Sequence, residues 1–303
     1  MPRCARVKSF DSVYHIMVRS ISDVLLFTSD AEKEMYINLI KKYQEIYLFK
    51  VYAYCIMDTH AHMIIDCNGA DISKIMHDIN QCYAQYYNRT HNRRGHLFQD
   101  RFKSIIIFED RALINISAYI NKNAKDIKGY RGREEKYKYS SYGIYAGIRK
   151  DEYGILDPYF ILNQFSKDII SAKKQYIEFV KRYDEEAEGD MEFKHERAEY
   201  RSERSILVRN ITSGEVVDFV SHYTNTDRSY INIKYVKTAA ELKSLSAFLM
   251  RCLCDMSEKI ICKEIGNITQ SHAAKLCQMA VKLIEEKDEY KNIIKDFLEK
   301  RAS

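Results

Sequence analysis

The chain reads as α+β: an antiparallel sheet with packed helices, followed by an all-α region. Three observations point there. The first 125 or so residues alternate stretches rich in β-branched and aromatic residues with stretches of helical periodicity. Only two prolines, Pro2 and Pro158, interrupt the 303 residues. Beyond Pro158 the pattern turns helical throughout.

Taken in order, "SVYHIMVRS" (12–20) reads as a strand and 29–46 as a helix. "YLFKVYAYCIMD" (47–58) and "AHMIID" (61–66) read as two strands joined by a tight Asp-Thr turn. A second helix starts near Asp71, with Ile72, Ile75, Met76, Ile79, Cys82, Tyr83 and Tyr86 at helical spacing. "FKSIIIF" (102–108) is a fourth strand, and "EDRALINISAYINKN" (109–123) a third helix whose acidic start suits its dipole. The order β-α-β-β-α-β-α is that of a ferredoxin-like split βαβ arrangement. Three regions follow: 1–150 around the sheet, 151–205 as a helical extension and charged linker, and 206–303 as a helical domain. Within the second, "EAEGDMEFKHERAEYRSERS" lacks a continuous apolar face and reads as an exposed helix or linker.

Composition narrows the class. With 46% hydrophobic residues the chain can bury a sizeable core. No apolar run reaches the ~18–20 residues that span a bilayer, and "MPRCARVKSF" lacks a signal-like apolar stretch, so a cytoplasmic protein without membrane contact is expected. The eight cysteines contain no CxxC, which fits a reducing compartment. A net charge of +5 mildly favours a polyanionic partner.

The chemistry-bearing residues start with "MDTHAHMIID". Residues two apart on a strand share a face, so His60 and His62 can present imidazoles side by side to a divalent cation. Taken alone, such a pair is more often two strand-end residues hydrogen-bonded locally. Two nitrogens are too few for a catalytic metal, which takes about three protein ligands. In the third helix Tyr119 and Asn123 lie one turn apart, offering a phenol for covalent catalysis and an amide oxygen as a metal ligand. Among 24 tyrosines, spacing alone does not separate Tyr119 from Tyr83, Tyr86 or Tyr87. "NRTHNRRGHLFQDRFKS" carries Arg89, Arg93, Arg94, Arg101 and Lys103 with Phe98 and Phe102 interleaved. It reads either as a loop tracking a nucleic-acid strand or as a solvated loop anchored by its phenylalanines. In "SEKIICKEIGNITQSHAAKLCQMAVKLIEE" two helices flank a Gly-containing turn, with Thr269 as N-cap and Ile261, Ile265, Ala273, Leu276 and Met279 as shared core.

The ordered set "MPRCAR", "VYHIMVRS", "LLF", "YAYCIMDTHAHMIID", "GHLFQDRFKS", "ISAYINKNAKD" and "YSSYGIYAG" resembles the single-tyrosine HUH transposases, in particular the REP-associated tyrosine transposases, over about residues 1–150. The resemblance implies the HUH fold. It implies His60, His62 and Asn123 as ligands of Mg²⁺ or Mn²⁺ and Tyr119 as nucleophile toward single-stranded or hairpin DNA, through a 5′-phosphotyrosine. Where the family commonly has Asn-Pro, this chain has Asn123-Ala124, which leaves the end of the third helix open. Residues 206–303 resemble the DNA-binding domain of the replication initiator DnaA, a helix-turn-helix. That implies Gln270, Ser271 and His272 facing duplex bases and Lys275 a phosphate. Family relatives differ in whether the tyrosine serves its own subunit or a partner's, so a homodimer is one of two expected arrangements. A DNA-binding regulator that keeps the scaffold without cutting is the alternative function.

Overall fold

The computed structural model describes residues 12–21, 24–183, 206–233 and 239–302. "MPRCAR" and the charged stretch at 186–205 lie outside the described residues. The chain forms two compact units, Met1–Leu207 and Val208–Ser303.

In the first unit the elements run β1 (Val13–Arg19), α1 (Asp30–Tyr47), β2 (Lys50–Ile56), β3 (His60–Asp66), α2 (Ile72–Thr90), β4 (Lys103–Ile107) and α3 (Asp110–Lys122). The sheet order is β2-β3-β1-β4, every pair antiparallel. This is the split βαβ arrangement: β3 sits between the parallel pair β1 and β2, and β1 between β3 and β4. One sheet face is closed off from water. Tyr14, Ile16, Val18, Ala61, Met63 and Ile65 on one face are at most 1% exposed, and α1 packs on α2. Asp71 caps α2 by accepting from the Ser73 amide at 2.7 Å, one of the orphan donors at that helix start.

A sheet edge is an open template for pairing, and here the edge at β2 is covered by the chain's own later segment. Tyr139 and Ser141 exchange backbone bonds with Ile56 and Tyr54 at 2.9 Å each, and the Asp157 amide donates to the Val51 carbonyl at 2.8 Å. β2 carries an irregularity between Val51 and Ala53, at Tyr52, whose hydroxyl donates to Asp66 Oδ2 at 2.8 Å. After α4 (Tyr142–Tyr145) and α5 (Tyr159–Leu162), α6 (Ile169–Arg182) packs on α3.

A buried polar network ties these pieces together. Asn121 Nδ2 donates to the Tyr176 hydroxyl at 2.7 Å, and Tyr176 donates to Ser117 Oγ at 3.0 Å. Ser141 Oγ donates to Asn121 Oδ1 at 2.7 Å while accepting from the Tyr54 amide at 3.0 Å. Asn121 is fully buried, so Asn121→Ala strips partners from two enclosed hydroxyls. A loss of about 2–4 kcal/mol is expected, read as a lowered denaturant midpoint. An unchanged midpoint would show that the network does not hold α3.

The second unit contains α7 (Ser213–Tyr223), α8 (Ala240–Cys252), α9 (Glu258–Ile265), α10 (Gln270–Glu286) and α11 (Ile293–Ala302). α8 is the central helix, packed against α7, α9 and α10, with nearly every residue from Leu242 to Met250 buried. Between α9 and α10 the backbone turns at Gly266 (φ 69°) and Asn267 (φ 54°), and Thr269 Oγ1 accepts from the His272 amide at 3.2 Å. The capping residue is the expected one. The core differs at one position: Met279 is 38% exposed, and Cys277 and Ala280 are buried instead. Six residues on from Ala273 a helix has turned 600°, which carries Met279 off the stripe that Leu276, Cys277 and Ala280 continue.

Candidate active site

The pairing register fixes what stands beside the two histidines. His60 faces Arg19 of β1, and His62 lies between Cys55 of β2 and Met17 of β1, with Lys103 of β4 beyond Met17. Directly paired residues share a sheet face, so His15, Arg19, His60, His62 and Lys103 belong to one face. His62 is 3% exposed and His60 half-buried. Their rings are 5.2 Å apart between centroids and nearly perpendicular, at 84°. Thr59 Oγ1 lies 2.8 Å from His60 Nδ1.

A third imidazole, absent from the sequence reading, completes the group. His15 Nε2 is 2.9 Å from His62 Nδ1, and the two rings stack at 5.2 Å. One N–H must donate and the other nitrogen accept. Burial pushes the His15 pKa down to about 4. His62 is held well below the ordinary histidine value by burial and then by the neighbouring His15 and His60. Burial and the Arg19 charge lower His60, with Asp126 opposing. All three rings are therefore neutral near pH 7, the form that can ligate a metal.

α3 lies over this face. The Tyr119 ring meets His62 edge-on at 5.6 Å and His15 at 6.0 Å, all within one chain. Tyr83 and Tyr87 go elsewhere: their hydroxyls donate to the Leu26 and Leu25 carbonyls. Packing thus separates tyrosines that spacing could not. Asn123 is 7% exposed, and its Nδ2 donates to the Tyr119 carbonyl at 2.9 Å, leaving the amide oxygen as the atom it can offer a cation. α3 ends at Lys122 without proline: Asn123 keeps helical dihedrals and the chain tightens into a 3₁₀ turn, Asn123–Asp126, with Ala124 fully buried. That turn carries the Asp126 charge that acts on His60. Among the described residues no group of three or more His, Cys, Asp or Glu is assembled to hold a metal ion. His60, His62 and the Asn123 amide oxygen are the groups here that could ligate a cation.

The arginine-bearing segment reaches the same end of the sheet. The Ile21 amide donates to the Leu97 carbonyl and the Gln99 amide to the Arg19 carbonyl, each at 3.0 Å, and Ser20 bridges to Phe98. Arg89, Arg94, Arg101 and Lys103 are exposed, while Arg93 is half-buried with its guanidinium 5.9 Å from the Tyr87 ring centre. Phe102 is buried at 7% exposure and Phe98 half-buried, 6.5 Å from the Tyr83 ring, so both anchor the loop rather than project from it. In the second unit Gln270, Ser271, His272 and Lys275 are all exposed on the first turns of α10.

A four-stranded antiparallel sheet carrying paired histidines, with a tyrosine helix laid over them, defines the class of site. Residues 8–123 match the model of the family described as "Transposase IS200 like", a span that ends on Asn123. A solved structure, of a REP-associated tyrosine transposase bound to a REP hairpin, is similar at 17% identity and TM-score 0.42, covering 48% of this chain and 86% of that one. No curated protein matches the chain.

Proposed function

We propose that this chain is a single-tyrosine DNA strand transferase of the HUH type, cutting and rejoining single-stranded or hairpin DNA as in transposition. The observation that carries the reading is Tyr119 set edge-on to His62 and His15 in one chain. The family match over 8–123 supports it.

His60, His62 and Asn123 would hold Mg²⁺ or Mn²⁺, which when bound supplies positive charge beside the non-bridging oxygens of the scissile phosphate. Were His62 to hold the metal through Nε2, its Nδ1–H would donate to His15 Nε2, and His15 would then fix the tautomer and ring plane of His62. Thr59 restrains His60 in the same way. The Tyr119 hydroxyl gives up its proton and attacks phosphorus, so the tyrosyl oxygen–phosphorus bond forms as the bond to the 3′ oxygen breaks. The departing strand takes a proton to end in a 3′-hydroxyl, and the other strand stays on Tyr119 as a 5′-phosphotyrosine. The phosphodiester energy is conserved for rejoining, so no nucleotide cofactor enters.

Arg89, Arg93, Arg94, Arg101 and Lys103 track the DNA backbone at the His60 end of the sheet. In the second unit, α9, the Gly266 turn and α10 form a helix-turn-helix like that of DnaA. Gln270, Ser271 and His272 read duplex bases and Lys275 takes a phosphate.

Full-length protein incubated with labelled hairpin DNA and Mg²⁺ or Mn²⁺ is expected to give a slower-migrating covalent band on denaturing gels. Chelator should abolish the band and added metal restore it. Tight binding with no covalent band under either metal would instead identify a regulator that keeps the scaffold without cutting.

A further inference from the structure

Beside His60 the first unit holds a cavity of about 350 Å³ that the strand-transfer chemistry does not use. Its walls come from three places in the chain: Arg19 at the end of β1, Thr59 in the β2–β3 turn, and Gln99 in the arginine segment, with Ile21, Val24 and Leu25 closing it. We infer that this cavity receives one nucleobase, that of the nucleotide next to the scissile phosphate. The inference rests on the strand-transferase reading and deepens it by naming a subsite.

Position is the first reason. Arg19 is the cross-strand partner of His60, and Thr59 bonds to the His60 ring. A strand whose phosphate lies at the histidines therefore passes the cavity with its adjoining nucleotide. Chemistry is the second. A base has a flat apolar face and a polar edge; Val24 and Leu25 suit the face, and the Gln99 amide and Arg19 guanidinium offer hydrogen-bonding groups for the edge. Leu25 is 46% exposed at this wall while the adjoining Leu26 and Phe27 are at most 1% exposed. The volume sits at the small end of the ~300–1,000 Å³ of ligand sites, enough for a single ring system.

Preorganisation is the third reason. Ser20 locks the three segments together: its amide donates to the Thr59 carbonyl at 3.2 Å and its Oγ bonds the Val24 carbonyl at 2.5 Å. The backbone bonds from Ile21 to Leu97 and from Gln99 to Arg19 complete the frame. An incoming base meets walls already in place and pays little ordering cost.

The test uses the full chain and a pool of hairpin DNA with randomised single-stranded flanks, with covalent adducts and released strands sequenced at the junction. Wild type is expected to enrich one base at least about tenfold at one of the two nucleotides flanking the cut, equal to ~1.4 kcal/mol. Leu25→Ala and Gln99→Ala, both at exposed positions, should reduce that enrichment to less than about threefold while the adduct at Tyr119 still forms. An abasic substitution at the enriched position should slow wild type by a similar factor and leave Leu25→Ala little affected. Adducts with no base preference and no abasic penalty overturn the subsite and leave the strand-transferase reading intact. Preference unchanged in both variants also overturns it, since the base would then be read elsewhere. No adduct from any member of the pool overturns the strand-transferase reading and this subsite with it.

Discussion

Tyr119→Phe is expected to form no covalent DNA adduct, a loss of at least about 10³-fold in adduct rate, with DNA affinity within about threefold of wild type. The ring keeps its edge contacts with His15 and His62, so the fold and the neighbouring imidazoles should be undisturbed. Only the oxygen proposed to attack phosphorus is removed. Tyr83→Phe and Tyr87→Phe are the matched controls, since those hydroxyls serve the Leu25–Leu26 carbonyls and should leave adduct formation in place. A covalent band that survives in Tyr119→Phe and disappears in another tyrosine variant would move the nucleophile.

The second large effect is a loss of stability in mild acid. Burial lowers the His15 pKa to about 4, and His60 and His62 are lowered as well, while an unfolded chain has histidines near 6.5. Between these values the unfolded state binds protons that the folded state refuses. Stability is therefore full above about pH 6.5 and falls as the pH drops toward 4. For His15 alone the loss at pH 5 is about 2 kcal/mol, from about 1.5 pH units at ~1.4 kcal/mol each. Urea unfolding of the chelated protein at pH 7 and pH 5 measures it. His15→Gln, which keeps a hydrogen-bonding group toward His62 but cannot titrate, should lose less between the two pH values than wild type. An identical drop in the variant would place the acid sensitivity outside the three rings.

Much of the fold lies in patterns that neighbouring residues set. Runs of β-branched and aromatic residues mark the strands, a period near 3.6 marks α2 and α3, and caps such as Asp71 and Thr269 mark helix starts. The same short-range geometry put His60 and His62 on one strand face and Tyr119 and Asn123 one turn apart. Met279 shows the limit of counting: its position near a helical stripe predicts a core residue, but only contact with α8 and α9 decides which angular range of α10 is covered.

By itself, then, the sequence determined the order of elements, the histidine pair and the tyrosine–asparagine spacing, because each depends on residues within one turn or one strand. The tertiary structure decided which residues meet. His15 reaches His62 across 47 residues because β1 pairs with β3 in a register that a one-residue slip would reverse, turning His15 to the opposite face. Tyr119 meets His62 and His15 only because α3 lies on that face; Arg19 stands beside His60 through the β1–β3 pairing, and Asp126 acts on His60 from the turn after α3. Strand register and helix docking are set by burial summed over the whole core, and no short stretch of sequence carries that sum.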